Sequence, residues 1–554
     1  MVNVKNLFGM AVMATALVGC SSNDNLAPDG NDNVGKTGEA YASFTINLPT
    51  TRATRVAGEP TFAEGDAKEY EVKNGTILIF TNDGKFVTSA QLGNMNPWKD
   101  IKTDGVTTAA TATVQLTGVE VGGNYQALVL LNNDVDGAPS KVTLPTSGES
   151  YVSWNAKAEN ATAAYTNTDY IFMANAPKYT GTSTEPTTLV PVANICASRE
   201  QAEAQPATTV YVERGLAKVT MQKFNADGYA IAAGTYEGGK VEIKAWQLDV
   251  TNKSTFPVHQ TDGLMTVWDQ IWNTGRFFDA TSSMFQRVYW GKDPNYSGGA
   301  LQDLDACKAA FNMITNDKVV GEAGIENPQY CLENTFDLAN MMQGQTTRVV
   351  FKAVFTPKDF VTGQTFYKIG NTTAIWDADK LAQQIKTVAF KAMDITTADE
   401  QAKYSVDLSK GSNISGVAGL HKIEAENITF TGEGESKVKP DVVDAINEKL
   451  GLKEAGISTY LNGEAYYIAR IKHFNELTPW TAGEAYGIEN GKYLGRYGVL
   501  RNNWYDLSVN SISGLGYPEV PEVKPNMPDD ENEQFINVEV KILDWAKRSQ
   551  SIDL

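Results

Sequence analysis

Histidine and cysteine are both scarce in this chain. Three histidines and four cysteines occur among its 554 residues. The histidines, His259, His421 and His473, lie far apart in sequence, and no two cysteines form a Cys-x-x-Cys pair. Because a structural zinc site needs several Cys or His ligands at short spacings, no such site is expected.

Basic residues are also fewer than acidic ones. The chain carries 47 Lys and Arg against 66 Asp and Glu, a formal net charge of −19. Proteins that bind nucleic acid, or that dock on anionic membranes through basic patches, need a positive footprint. The composition argues against both classes, and no nucleic-acid partner is expected.

Long apolar runs are missing, apart from one stretch near the N-terminus. Lys5 precedes a mostly apolar run over residues 7–18, which is too short to span a bilayer but fits an export signal. The run ends in Leu-Val-Gly-Cys, which resembles the lipobox of bacterial lipoproteins, with Cys20 as the lipidated first residue. Residues 1–19 are therefore expected to be removed as a signal peptide, and the polar residues 20–38 to form a flexible tether.

Motifs for catalysis are weak or missing. The sequence has no phosphate-binding P-loop and no Gly-x-Ser-x-Gly nucleophile motif. Residues 132–137 begin like a calcium-binding loop, but Thr143 stands where such loops carry a bidentate Glu, so an Asx-rich turn is favoured. We therefore expect no enzyme activity, no metal and no cofactor.

What the chain does contain is a long series of strand-like segments. Residues 76–80 and 85–87 flank Asn-Asp-Gly, a pattern that predicts a β-hairpin. The apolar run at 125–131 predicts a central strand. These patterns recur and predict a mainly β fold, with a domain boundary in the glycine-rich stretch at 225–240.

Helical periodicity is confined to three short stretches in the second half. They begin at Leu304, Leu381 and Val442, and they predict short helices packed on a β-domain. The first stripe includes Cys307, which is typical of a core thiol. In an oxidising compartment a disulfide between Cys307 and Cys331 is the alternative.

The two ends of the chain carry matching strand patterns. Residues 42–48 alternate strictly until Pro49, which cannot donate to a continuing ladder, and the polar stretch that follows holds Arg52 and Arg55. Residues 536–542 alternate in the same way, and Trp545 extends their apolar content. Each strand presents four apolar residues on one face: Ala42, Phe44, Ile46 and Leu48 in the first, and Ile536, Val538, Val540 and Ile542 in the second.

A proline-rich arm joins the body to the last strand. Residues 517–534 hold four prolines and the acidic run Asp529-Asp530-Glu531, which predicts a stiff, extended and solvated segment. At about 3.1 Å per residue in polyproline geometry, this arm would span roughly 55 Å. The strand could therefore reach beyond its own domain, or the arm could fold back so that the strand closes its own sheet. The pattern leaves both open.

Three features, taken in order along the chain, resemble the shaft subunits of Bacteroidales fimbriae (type V pili), specifically the major subunit of the short fimbriae. The first is the Cys20 lipobox followed by the strand at 43–49 with Arg52-Ala53 beyond it. The second is Arg-Asn-Asn-Trp-Tyr-Asp-Leu at 501–507, with Gly-Leu-Gly-Tyr-Pro at 514–518. The third is the proline-acid arm that ends in the alternating terminal strand.

The resemblance implies two tandem transthyretin-like β-sandwich domains, at residues 53–232 and 233–516, the second with helical insertions. It also implies an exported lipoprotein precursor at the outer membrane and a mature form in cell-surface fimbriae. An arginine-specific protease is expected to cut between Arg52 and Ala53, or after Arg55.

The same resemblance implies assembly by strand exchange between subunits. Residues 39–52 would leave as the displaced first strand, and residues 535–554 of a neighbouring copy would act as the donor strand. The implied partners are further copies of the chain in a head-to-tail filament, anchor and tip subunits, and host or bacterial surface ligands of unknown identity. Adhesion and biofilm formation are the implied outcome.

A surface glycan-binding lipoprotein of a nutrient-uptake system is the alternative function. Export, acidity and length suit that class, and Trp268, Trp272 and Trp290 could contact sugar. Proteins of that class and length are mainly helical, however, and would have no need of an alternating strand on a proline arm. The pattern therefore favours the fimbrial interpretation.

Overall fold

The computed structural model confirms the prediction of a mainly β fold. The residues that the structure describes are 39–49, 69–93, 99–103, 106–134, 140–160, 170–179, 185–264, 288–297, 301, 303–335, 339–370, 372–410, 421–452, 456–473, 493–530 and 536–544.

The strands and helices are numbered along the described chain. The strands of the first part are β1 (Ala40–Pro49), β2 (Gly75–Thr81), β3 (Phe86–Gln91), β4 (Lys99–Thr103), β5 (Val106–Leu116), β6 (Tyr125–Leu131), β7 (Glu159–Asn160), β8 (Met173–Asn175), β9 (Val190–Pro191) and β10 (Thr208–Arg214). The later strands are β11 (Leu216–Met221), β12 (Tyr229–Ala230), β13 (Lys240–Asp249), β14 (Thr251–Asn252), β15 (Ser254–Thr255), β16 (Phe311–Asn312), β17 (Gly324–Leu332), β18 (Arg348–Thr356), β19 (Phe366–Ile369), β20 (Ile375–Trp376), β21 (Tyr404–Val406), β22 (Ile428–Phe430), β23 (Ile457–Tyr460), β24 (Glu464–Arg470), β25 (Asn503–Ile512) and β26 (Ile536–Asp544). The helices are α1 (Tyr151–Asn155), α2 (Arg199–Ala204), α3 (Leu304–Ala310), α4 (Ala378–Ala392), α5 (Ala398–Gln401) and α6 (Pro440–Lys449).

One sheet, whose two halves face each other, forms the first sandwich. Its strand order is β3-β2-β6-β8-β10-β1-β5-β4, with β9 paired to β6. Strand β10 joins the halves, because Thr208–Tyr211 pair in parallel with β1 and Val212–Arg214 pair antiparallel with β8. Apolar side chains of β1 and β5 share one core with those of β2 and β6, so the halves pack face to face.

Strands β2 and β6 are buried on both faces. Ile77 and Ile79 point into the first core, whereas Leu78 and Phe80 point into a second core that also holds Leu216 of β11. This double burial explains the continuous apolar runs in both strands and confirms that residues 125–131 form a central strand. The hairpin of β2 and β3 is confirmed too, with Gly84 at φ 79° in its turn.

A second sandwich is built from two four-stranded sheets. Their orders are β17-β11-β25-β26 and β12-β13-β18-β24. Alternate residues of both sheets meet in one core, in which Trp246, Tyr467 and Tyr505 are almost fully buried. The chain passes from the first sandwich to the second between β10 and β11 through one residue, Gly215. The change of sheet thus lies before the boundary expected at residues 232–233.

The residues between β18 and β24 form an insertion with its own core. Helices α4 and α6 pack together beside β19, β20 and β23, and Leu381, Ile385 and Ile446 are fully buried there. Side-chain and proline signals start these helices, with Asp377 capping α4 and Pro440 in the first turn of α6. Helices are confirmed in all three predicted stretches, but the first, α3, ends at Ala310, whereas its apolar stripe continues to Phe311 and Ile314.

The cysteines do not pair as the alternative suggested. Cys307 and Cys331 are not bonded to each other, and both are buried, as is Cys196. Cys331 lies in the core of the second sandwich, where burial raises the pKa of its thiol to about 12. Cys307, in the middle of α3, lies against Gly344. Within the described part of the chain, no helix combines the length and apolarity needed to cross a membrane.

Candidate functional site

Strand β1 occupies an interior position in the first sandwich. It pairs antiparallel with β5 along its whole length and in parallel with β10 over Phe44–Asn47. Tyr41 adds a pair of backbone hydrogen bonds to Cys196, at 2.8 and 2.9 Å. Removal of β1 would therefore leave two unpaired strand edges and an open slot between them.

The inner face of β1 fills the first core. Phe44 is the largest of the inward side chains and is completely buried. The face is one residue longer than the sequence indicated, because Ala40 also points inward. The inward residues, each no more than 2% exposed, are Ala40, Ala42, Phe44, Ile46 and Leu48.

The outer face of β1 is partly covered by helix α2. Ser43 donates to the carbonyl oxygen of Ala202 at 3.0 Å and lies 2.7 Å from the hydroxyl of Thr113. Arg199 donates to the carbonyl of Thr113 at 2.7 Å and lies over the ring of Tyr41. Ser43 is consequently only 8% exposed, although it faces away from the core.

Helix α2 was missed by the sequence reasoning. Ser198 caps it by accepting from the backbone N–H of Gln201 at 3.2 Å. The signal that would have found it is Ser-x-x-Gln at 198–201, which is typical of a helix start.

Glu69, downstream of β1, is anchored to the body of the protein by three contacts. Its carboxylate binds Lys218 and Tyr330, each at 2.5 Å, and its carbonyl accepts from Arg214 at 2.8 Å. The lipidation residue Cys20 and the processing residues Arg52, Ala53 and Arg55 lie outside the described residues. So does Trp545 of the predicted donor strand.

Strand β26, the predicted donor, lies at the end of its sheet. It pairs antiparallel with β25, and a bulge interrupts the pairing between Val509 and Ser511. Val538 and Val540 point into the core of the second sandwich at 8% and 4% exposure. In this single chain the terminal strand thus closes its own sheet. The structure does not describe the side chains of Ile536 and Ile542.

The proline-rich arm folds back along the body, so the expectation of a solvated arm is wrong. Tyr517 and Tyr466 exchange two backbone hydrogen bonds of 2.7 Å, and Arg348 donates to the carbonyl of Pro521 at 2.6 Å. Val523 is 4% exposed, and Asp530 pairs with Arg496 at 3.0 Å. Proline lacks the N–H donor but keeps its carbonyl, as Pro521 shows, and the N–H groups of other residues of the arm, such as Tyr517, also bind the body.

A metal centre is not built by the described residues. They contain no group of three or more His, Cys, Asp or Glu side chains that could hold a metal ion. The chemistry that the site offers is the pairing of backbone edges and the burial of alternating side chains.

The C-terminal part of the chain matches a protein-family model. Residues 458–551, which include β24, β25 and β26, match the model described as major fimbrial subunit protein type IV, fimbrillin, C-terminal. Among proteins of curated function, no sequence matches at a significant level.

Solved structures overlap with most of the chain at low identity. A cell adhesion protein of Parabacteroides distasonis, described as putative, has 11% identity and a TM-score of 0.39, covering 93% of this chain and 99% of its own. A fimbrilin of Porphyromonas gingivalis has 12% identity and a TM-score of 0.37, with 92% and 98% coverage. A tip fimbrial protein of the same organism has 10% identity and a TM-score of 0.30, with 91% and 98% coverage. The match agrees with what the motifs in the C-terminal region of the sequence indicated: residues 458–551 are similar to the C-terminal part of fimbrillins, the subunits of fimbriae.

Proposed function

We propose that this protein is the polymerising shaft subunit of a cell-surface fimbria. Export as a lipoprotein would begin at Cys20, cleavage after Arg52 or Arg55 would activate the subunit, and a strand donated by a neighbouring copy would take the place of β1. The similarity of residues 458–551 to the C-terminal part of fimbrillins supports a structural role in a filament with other fimbrial subunits.

The single observation that carries the proposal is the position of β1 relative to the proposed cut. The strand lies inside a sheet and ends at Pro49, and the next residue that the structure describes is Glu69, whose carboxylate binds Lys218. A cut at Arg52 or Arg55 falls between them. It would turn β1 into part of a separate peptide held only by non-covalent contacts, and it would leave the rest of the sandwich fixed.

Energetics favour the transfer of the terminal strand into the vacated slot. In its own sheet β26 has one paired edge, whereas the slot of β1 offers two. Burial of each apolar side chain contributes about 1.5–3 kcal/mol before ordering costs. Val538 and Val540 are already buried in the second sandwich, so for these two residues the transfer exchanges one burial for another. Each added ladder hydrogen bond contributes a further ~0.5–1.5 kcal/mol. Before cleavage, β1 blocks the slot and prevents assembly.

The geometry of such an exchange generates a filament. The donating surface and the accepting slot belong to different sandwiches, so the contact is heterologous and does not close on itself. The short helices and mainly β architecture favour this function over the alternative of a glycan-binding lipoprotein, whose members of this length are mainly helical.

Processing is tested with two double variants. Arg52→Ala/Arg55→Ala should remain monomeric on denaturing gels of unboiled samples, because β1 stays attached. Arg52→Lys/Arg55→Lys keeps the charge and should behave in the same way if the protease requires arginine. Ladder formation at the unmodified yield in the alanine variant would contradict the proposed activation.

Donation is tested separately by removing residues 535–554. This variant should be exported and cleaved but should form no ladder. Its own fold is followed by circular dichroism, since β26 also completes a sheet of the second sandwich. Persistence of ladders in a folded, truncated subunit would overturn the assignment of the donor strand.

A further inference from the structure

The outer face of the β1 slot discriminates between possible placements of an incoming strand. We propose that residues 536–542 enter the slot in the same direction as β1, parallel to β10, with Asn537 at the place of Ser43. This inference rests on the strand exchange proposed above and adds to it the direction and the register.

On its outer face the slot is most confined at the position of Ser43, its narrow point, where α2 covers the strand. Its hydroxyl lies between the carbonyl of Ala202, at 3.0 Å, and the hydroxyl of Thr113, at 2.7 Å. Arg199 of α2 already donates to the carbonyl of Thr113, and its Nη1 lies 3.7 Å from a carboxylate oxygen of Glu203. A small, uncharged hydrogen-bonding side chain fits this place. A long charged one would be buried against a carbonyl oxygen, at a high desolvation cost.

The polar face of the donor strand offers one such side chain. Its outward residues are Asn537, Glu539 and Lys541, of which Asn537 alone is uncharged. The amide of asparagine both donates and accepts, so it can bond to the Ala202 carbonyl and the Thr113 hydroxyl together.

Four placements put all four apolar donor residues on inward positions between 40 and 48. Two run in the direction of β1 and two run against it. In the two placements that run with β1, the residue at the position of Ser43 is Asn537 in one and Glu539 in the other. In the two that run against β1, it is Lys541 in one and Glu539 in the other. Only the first of these four placements keeps charge away from the narrow point beneath α2.

In this placement the remaining donor residues also find suitable surroundings. Glu539 replaces Thr45, which is only partly buried on the outer face. Lys541 replaces Asn47, which is 9% exposed but lies near the end of the strand, so that a long side chain can carry its ammonium group past the edge to water. Inward, Val538 takes the place of Phe44, and Ile536 takes the place of Ala42, so volume lost at one site is offset at the next.

Cysteine pairing distinguishes the four placements directly. In the four placements residue 541 stands at position 47, 45, 43 or 41 of β1, and it would therefore lie opposite a different residue of β5 in each. The native pairs at these positions are Asn47 with Ala109, Thr45 with Thr111, Ser43 with Thr113 and Tyr41 with Gln115. The variant Lys541→Cys is therefore combined in turn with Ala109→Cys, Thr111→Cys, Thr113→Cys and Gln115→Cys in the full chain. Lys541→Cys alone is the control for the native thiols.

After cleavage and assembly, mild oxidation should link neighbouring subunits covalently in the Ala109→Cys combination. These links survive boiling in detergent without reductant. Linkage in any of the other three combinations, or in none while ladders still form, overturns the proposed register. Failure of the unmodified chain to form ladders would instead overturn the strand exchange itself, and the register with it.

Variants at Asn537 give a second, independent readout. Asn537→Lys should reduce the yield of ladders at least tenfold, while Asn537→Ser, which restores the native side chain of the slot, should leave it unchanged. Glu539→Gln is the matched control for a change of charge on the same face. Circular dichroism of the monomers separates an effect on assembly from a loss of folding. Equal yields for Asn537→Lys and Asn537→Ser would contradict the proposed role of Asn537.

Discussion

Glu69 and Lys218 form a buried ion pair, with Oε1 and Nζ 2.5 Å apart and neither side chain more than 3% exposed. Glu69 leads into the first sandwich, whereas Lys218 lies in β11 of the second. Tyr330 donates to the same carboxylate oxygen at 2.5 Å, and the Lys218 ammonium lies 4.0 Å from the ring centroid of Trp504. The two sandwiches are therefore joined by a desolvated, fully bonded cluster.

Breaking this pair on one side should be strongly destabilising. Lys218→Met leaves the carboxylate of Glu69 buried without its cation, which should lower the free energy of unfolding by about 3–5 kcal/mol. Urea unfolding of the purified subunit measures it. The control is Lys85→Met, which removes an exposed pair with Asp83 and should change the free energy of unfolding little. Equal losses in the two variants would contradict the importance of burial.

Asp293 should make the stability depend on pH. Burial raises the pKa of this carboxyl to about 8 in the folded chain, and nearby Glu333 adds to the effect. In the unfolded chain the pKa is about 3.9, so between these values the folded state holds a proton that the unfolded state has lost. The contribution of Asp293 is therefore most favourable at low pH. It is lost as the pH rises toward 8, by up to about 1.4 kcal/mol per pH unit.

The variant Asp293→Asn tests this dependence. It should flatten the change in unfolding free energy between pH 5 and pH 7.5, measured in urea at both pH values. The backbone N–H groups of Asn295 and Thr335 bind different oxygens of Asp293, each at 2.7 Å, and asparagine keeps an acceptor for only one of them, so circular dichroism must first show that the variant is folded. An unchanged slope in a folded variant would show that another group sets the pH dependence.

Phe44 should hold β1 in place. Phe44→Ala removes the largest inward side chain of the strand and should cost about 3–5 kcal/mol in the precursor. Under the proposed function, the weakened strand should also leave faster after cleavage, so ladders should appear earlier in a time course. Thr45→Ala, on the outer face, is the control and should change both quantities little. Slower assembly of a folded Phe44→Ala subunit would contradict the role of β1 as a removable plug.

The insertion between β18 and β24 should be dispensable for the second sandwich. Its stem is the antiparallel pair β19 and β23, in which Ile369 lies opposite Ile457. Replacement of residues 370–456 by Asn-Gly should close this stem as a hairpin, because that dipeptide suits a two-residue turn. Circular dichroism and thermal unfolding should still show a folded, strand-rich protein. Global unfolding would show that the sandwich depends on the core of the insertion.

The sequence predicted those elements whose pattern is local. Alternation identified β1 and the terminal strand, and Asn82-Asp83-Gly84 identified the hairpin of β2 and β3. Apolar stripes identified helices α3, α4 and α6. In each case the burial pattern repeats within a few residues, so it can be recognised before any tertiary partner is known.

Features that depend on distant residues were not predictable in this way. Ser43 looks like an outward strand residue, and its burial comes from α2, which lies more than 150 positions away. The arm looks solvated because it is rich in proline and acid, but Arg348 of β18 binds its Pro521 carbonyl, and the body covers Val523. Partners of this kind are brought together only by the completed fold.

The passage from β10 to β11 has a mechanical consequence. Arg214 ends one strand and Leu216 begins the next, so the covalent path between the two sandwiches contains only Gly215. A single residue extends by no more than about 3.3–3.6 Å, so this link between the sandwiches cannot lengthen appreciably under tension. Tension applied along the chain would pass from one hydrogen-bonded sheet directly to the next, and elongation would require a strand to be torn from its sheet.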